Sequence, residues 1–326
     1  IGFHLAKKLL EKGNKVHGYD SMNDYYDVRL KENRYKILKK NKNFSFTKNK
    51  LENKRILEGV FKKFKPNVVI HLAAQAGVRY SIEKPRVYLD SNITGTYNII
   101  EVSKKVNVKH LIMASSSSVY GANKKFPFQE IDKTDSQISF YAATKKSTES
   151  LAHSYSSLWK MPITILRFFT VYGPWGRPDM ALFLFTKAII NNQPIDVYNF
   201  GKMVRDFTYI DDIVESIQRL IKKPATSNNL FNTNKPDSCT SWAPYRIFNI
   251  GNSKPTQLMD YIKAIEKNLG KEAIKNYMPI QPGDVVSTSA DSSKLEEWIK
   301  FKPNTTIDNG VKKFINWYID FYNPTI

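Results

Sequence analysis

Apolar strands followed by amphipathic helices recur through the first half of this 326-residue chain, and that rhythm restricts its fold more than any other feature. PNVVIHLAA (66–74) reads as a buried strand with small residues at its carboxyl end. DSNITGTYNIIEVSKKV (90–106) follows as a helix, with Gly95 expected to permit close packing on the sheet. VKHLIMASSSSVYG (108–121) is the next strand and runs into four serines. SFYAATKKSTESLAHSY (139–155) is again helical, and MPITILRFFTVYGP (161–174) is a strand with a polar end. Alternation of this kind predicts an α/β fold, a Rossmann-type doubly wound parallel sheet that docks ligands beyond the carboxyl ends of its strands.

The first residues obey the same scheme. Phe3, Leu5, Ala6, Leu9 and Leu10 keep a helical period, Gly13 stops the helix, and KVHGYD (15–20) is a strand finishing on Asp20. A helix, a strand and a terminal acid form the later part of a βαβ dinucleotide-binding unit, whose acid bonds the adenosine ribose. Asp20 lies 18 residues after Gly2, near the usual separation. Gly2 is then the last glycine of the phosphate-binding turn at the helix N-terminus, and the strand and glycines before it are expected to have been truncated. An ordinary strand-end turn is the competing reading of Asp20.

Beyond Pro174 the pattern changes. IDVYNFGKMVRDFTYIDDIVESIQRLI (195–221) reads as strand, turn, strand and helix, and NTNKPDSCTSWAPYR (232–246) as a long polar loop. The pattern predicts two domains, a dinucleotide-binding one over 1–172 and a smaller α/β substrate domain over 173–326. Segments near 203–223 and 246–252 are candidates to return to the first.

Composition narrows the function. No apolar run reaches the length of a membrane span. One cysteine, Cys239, excludes an internal disulfide framework and suits a reducing compartment, so a cytoplasmic protein is expected. Five scattered histidines offer no zinc-type spacing, and no metal is expected. The formal charge of +20 invites a nucleic-acid reading. The lysines are spread along the chain, however, as in KKNKNFSFTKNKLENK (39–54), and no nucleic-acid motif accompanies them. Neither a nucleic acid nor a membrane is expected as partner.

Chemistry enters at Tyr141 and Lys145, four apart and so on one helix face. A phenol titrates near pH 10, and a neighbouring ammonium favours the phenolate. The pair is a candidate acid and base for interconverting a hydroxyl and a carbonyl. Taken alone the spacing is common on amphipathic helices.

Its company is more specific. GYDSMNDYYDVRLKENR (18–34), HLAAQAGVRYS (71–81), SSSSVYGAN (115–123), LRFFTVYGPWGRPDMA (166–181), RDFTYIDDIV (205–214) and SWAPYRIFNIGN (241–252) occur in order across nearly the whole chain. With Ser116 standing 25 residues before Tyr141, the chain resembles the extended short-chain dehydrogenase/reductase superfamily and its NAD-dependent epimerase/dehydratases, most of all the UDP-glucuronate 4-epimerases.

That resemblance implies a tightly bound NAD, held by Gly2, Asp20, Ala73, Tyr141, Lys145 and Phe168. It makes Tyr141 the acid and base, Lys145 its partner at the nicotinamide ribose, and Ser116 a hydrogen-bond donor to the reacting oxygen. It assigns Arg177 and Arg205 to the diphosphate of a UDP-sugar, Arg79 to the region of the sugar, Thr170 to the substrate, Val197 and Tyr198 to the uracil, and Asp284 to the uridine ribose. Ser117 and Ser118 stand where related decarboxylases and dehydratases carry acids, and are expected to hold the sugar carboxylate. The implied reaction is conversion of UDP-glucuronate to UDP-galacturonate, supplying surface-polysaccharide precursors, by a homodimer formed through helices 90–106 and 141–158. A UDP-glucose/galactose 4-epimerase, a UDP-glucuronate decarboxylase and a non-catalytic NAD-binding protein are the alternatives.

Overall fold

The computed structural model describes residues 1–281 and 285–324. Eleven strands are found among them: β1 Val16–Asp20, β2 Phe44–Lys48, β3 Val68–His71, β4 His110–Ser116, β5 Ile163–Phe168, β6 Thr170–Tyr172, β7 Ile195–Tyr198, β8 Val204–Tyr209, β9 Tyr245–Ile250, β10 Pro255–Gln257 and β11 Lys275–Met278. The main sheet is parallel, in the order β3-β4-β5-β9, and β1 pairs in parallel with β2. β6 pairs with β8, β8 with β10, and β7 with β11.

The sheet is apolar on both faces because successive side chains point to opposite sides. Leu111, Met113, Ile163, Ile165, Tyr245 and Ile247 face one core, shared with Leu57, Ile100 and Ala152 from the helices. Ile112, Leu166, Phe248 and Ile250 face a second core with Ile213, Ile217, Ile262 and Phe314. Near-continuous hydrophobic strands are what this double coverage requires, and the α/β architecture is the one the alternation predicts.

Several elements differ in detail. The 161–174 stretch is not one strand: β5 ends at Phe168 and β6 begins at Thr170 in a different sheet. That break turns the polar end of the segment out of the main sheet. The 90–106 helix opens as a wide π-type turn, Leu89–Thr94, before the regular helix Gly95–Lys105. A Cβ on Gly95 would stand 2.8 Å from the Leu51 side chain, so this glycine admits Leu51 rather than the sheet. The helix Phe140–Trp159 starts where Ser139 accepts the Ala142 N–H and stops at Lys160 in the left-handed region. No described helix is long and apolar enough to cross a membrane.

Candidate active site

A cleft of about 1780 Å³ opens over the carboxyl ends of β3, β4 and β5, between the β1–β2 pair and the elements that follow Pro174. Parallel topology puts ligand sites there because every helix N-terminus and every strand-end loop converges on that side. Ser116 ends β4 and caps the short turn Ser117–Tyr120, accepting the Ser118 N–H at 3.2 Å. The first turn of the Phe140–Trp159 helix brings Tyr141 beside it, close enough for the serine hydroxyl to favour the phenolate, while Ser116 donates to the Ser118 hydroxyl at 3.1 Å. One turn later Lys145 is 6% exposed, and its Nζ donates to the Ala114 carbonyl at 2.9 Å. The Tyr88 ring meets Tyr141 edge-on at 6.0 Å.

The electrostatics depart from the expectation for this pair. Burial raises the Tyr141 phenol, opposed by the Ser116 hydrogen bond and the Arg177 charge. Lys145 is turned toward the strand, and burial lowers its own ammonium to about 8, opposed by Glu149. The lysine therefore does not by itself depress the tyrosine; desolvation is the larger effect.

The other expected residues gather in the same cleft. Gly2 opens the helix Gly2–Glu11 at its edge, Asp20 is exposed at the end of β1, and Ala73 and Phe168 line the floor beyond β3 and at the end of β5. Asp20 Oδ1 accepts the Met22 N–H at 2.7 Å. Ser117, Ser118, Thr170, Arg79, Arg177, Tyr198 and Arg205 also line it. Arg79 stacks its guanidinium 5.1 Å from the centre of the Tyr198 ring, joining two residues 119 apart in sequence. Arg177 is held by Asp179, Nε to Oδ1 at 3.0 Å, and Asp179 also accepts from Tyr25 at 3.2 Å. Arg205 donates to the carbonyls of Val204 and Val286.

The Val197 side chain is turned away from the cleft, leaving only its backbone to face it. Its side chain is wholly buried in the core, because alternation along β7 sends it opposite to Tyr198. Asp284 lies outside the described residues.

Sequence reasoning passed over the residues that hold these in place. Asn92, wholly buried in the wide turn, accepts the Gln75 N–H at 2.8 Å and donates to the Gln75 carbonyl and to Thr144. It fixes the loop after β3 against the Tyr141 helix. A polar side chain inside an apolar helical face was its only sequence signal. Asp206, beside Arg205, accepts the N–H groups of Asn252, Ser253 and Ala290.

A serine at a strand end, a tyrosine and lysine one turn apart, and a cleft at the carboxyl edge of a parallel sheet define the extended short-chain dehydrogenase/reductase class. Within it the chain belongs to the family described as GDP-mannose 4,6 dehydratase, whose sequence profile matches residues 1–314. It is 60% identical over 322 residues to protein CapI of Staphylococcus aureus, covering 99% of this chain and 96% of that one. A probable UDP-glucuronate 4-epimerase of Rhizobium meliloti is 49% identical over 323 residues, covering 99% and 95%. The crystal structure of UDP-glucuronic acid 4-epimerase from Bacillus cereus, in complex with UDP-glucuronic acid and NAD, superposes with a TM-score of 0.87 at 31% identity, covering 99% and 96%.

Proposed function

We propose that this protein is an isomerase, an NAD-dependent 4-epimerase that interconverts UDP-glucuronate and UDP-galacturonate. The observation that carries the reading is the meeting of Ser116, Tyr141 and Lys145 on the floor of a cleft large enough for a dinucleotide and a nucleotide-sugar together. Relatives named UDP-glucuronate 4-epimerase at 49% and 42% identity support it.

The residues present fit the cofactor. Asp20 offers an exposed carboxylate at the end of β1, Ala73 and Gly2 leave room for close approach, and Lys145 lies within the cleft wall. Phe168 and Tyr141 complete that lining. Bound there, NAD would supply a reversible hydride acceptor for C4 of the sugar, allowing a 4-keto form that is reduced again on the opposite face.

The protein's own groups do the rest. Tyr141 accepts the C4 hydroxyl proton and later gives it back. Ser116 donates to that oxygen as its charge changes. Burial keeps the phenol protonated in the ligand-free chain, and cations lower it when the site fills: Arg177 is in place, and the oxidised nicotinamide brings another. Arg177 and Arg205 bind the diphosphate, for which the planar guanidinium is suited. Tyr198, with the backbone at Val197, flanks the uracil, Arg79 and Thr170 lie nearer the sugar, and Asp284 binds the uridine ribose.

A 4-keto-glucuronate carries its carboxylate β to a carbonyl and loses CO₂ when the breaking bond aligns with the π system. Ser117 and Ser118 hold the carboxylate out of that alignment. The protein works in the cytoplasm, consistent with its free, buried Cys239. It forms a homodimer through the helices Gly95–Lys105 and Phe140–Trp159, whose outer faces expose Tyr97, Leu158 and Trp159.

Incubating the protein with UDP-glucuronate, without added NAD, and identifying products by NMR tests the reading. UDP-galacturonate supports it. A pentose product assigns a decarboxylase instead, turnover of UDP-glucose alone assigns the glucose/galactose epimerase, and no turnover of either sugar overturns it.

A further inference from the structure

Behind the candidate site, on the side of Lys145 away from the cleft, lies a buried charge assembly that the mechanism above leaves unused. Glu149 stands one turn beyond Lys145 on the same helix, so its carboxylate is the natural partner for the lysine ammonium. The ammonium goes instead to the Ala114 carbonyl at 2.9 Å. Glu149 is already occupied. Arg167 from β5 grips both of its oxygens, each at 2.9 Å, and the Ser115 hydroxyl donates to Oε1 at 2.6 Å. Arg167 is 0% exposed, and its remaining nitrogen donates to the Tyr120 hydroxyl and the Glu130 carbonyl. Tyr245 donates to the backbone carbonyl of Glu149 at 3.1 Å and pins that turn from β9.

A buried ion pair is poor evidence of stabilisation, since well-packed apolar residues often serve as well. Its placement suggests a different use. Ser115 lies between Ala114, which anchors Lys145, and Ser116, and it faces Arg167 in the register of the sheet. We propose that Arg167 is a positioning residue: by holding both carboxylate oxygens of Glu149 it keeps Glu149 from capturing Lys145, and it leaves the ammonium aimed at the end of β4. This rests on the epimerase reading for its effect on turnover, though not for its effect on the lysine. The ionisable groups around Lys145 are Tyr141 and Glu149 on its own helix and His71 from β3, which burial keeps neutral, with Arg167 from β5 and Lys146, 3.7 Å from Oε2, both acting on Glu149.

The test compares the parent chain with Arg167→Met and with Arg167→Met/Glu149→Gln. The first readout is the pH dependence of Lys145 labelling by trinitrobenzenesulfonate in the chain without added ligand, followed by mass spectrometry of its peptide. The second is kcat and KM for UDP-glucuronate. In Arg167→Met the freed carboxylate pairs with the lysine, so its apparent pKa rises by about one unit and labelling at pH 8 slows about five-fold. Turnover falls about ten-fold while KM stays within about two-fold. The double variant returns both toward the parent, because glutamine does not hold the ammonium. Unchanged labelling in the folded single variant, or a double variant as slow as the single, overturns the proposal. Should Arg167→Met not fold, Arg167→Lys and Arg167→Lys/Glu149→Gln give the same comparison, since lysine cannot hold both oxygens at once. A chain whose lysine responds as stated but which converts no UDP-sugar overturns the function reading and leaves the positioning role standing.

Discussion

Lys145 and Ala114 are joined by a hydrogen bond of 2.9 Å from a nearly buried ammonium to a strand carbonyl. Because Ala114 lies two residues before Ser116 on β4, the lysine and the serine are referred to one rigid element. The Tyr141 helix then has only to dock on that strand for all three groups to meet.

The same burial makes Lys145 a cost to the ligand-free fold. Its ammonium is lowered to about 8, below the ordinary value, so between about pH 8 and 10.5 the unfolded chain binds a proton that the folded chain does not. Stability therefore rises as pH increases through that window, and at pH 7 the penalty is fully present. Lys145→Met is expected to stabilise the chain by about 3 kcal/mol at pH 7 and by nearly nothing at pH 10.5, while abolishing turnover. Urea denaturation at the two pH values checks it, and equal gains at both would contradict it.

Tyr141→Phe is expected to lower kcat about 10³-fold with little change in KM, because the ring still packs against Tyr88 while the transferable proton is gone. Arg177→Met acts on the same phenol from a distance. Arg177 favours the phenolate, so its loss moves the acidic limb of the kcat/KM profile to higher pH. A pH series on both variants reads the two effects separately.

Two of the histidines whose charged form burial disfavours contribute to the acid limit of the fold. Burial holds His71 at about 3 and His110 at about 4, with Thr96 and Thr164 at 2.8 Å from their Nε2 atoms. Below pH 6.5 the unfolded chain takes up protons that these rings refuse, so stability falls with pH down to their folded values. Each contributes up to about 1.4 kcal/mol per pH unit in that range. His71→Asn and His110→Gln should each flatten the loss of stability between pH 6 and 4.5; an unchanged slope would show that other groups govern it.

Ser117→Ala/Ser118→Ala is expected to raise the fraction of keto-pentose formed from UDP-glucuronate by about ten-fold, the loss of one or two hydrogen bonds to a carboxylate. Product ratios by NMR decide it, and a ratio equal to the parent's would mean that the carboxylate is held by other groups.

The local motifs carried much of this. Ser116 joined Tyr141 and Lys145 only through the resemblance carried by the surrounding motifs, while the helix period placed that pair on one face by a rule that needs no distant partner. The parallel α/β order was readable for the same reason: strands buried on both faces are apolar throughout, and Leu111 to Met113 and Ile163 to Ile165 show it. What the chain's order does not encode is which side chains meet across elements. Arg167 was passed over in its largely apolar strand, and nothing in the order of residues marked Glu149, on the preceding helix, as its partner. Val197 entered the core and Tyr198 the cleft because β7 presents one face to each, a choice made by packing. The turn of Lys145 toward Ala114, and with it the rise rather than fall of the Tyr141 phenol, was decided by desolvation. Burial is a property of the assembled chain, and no spacing of residues along it contains that information.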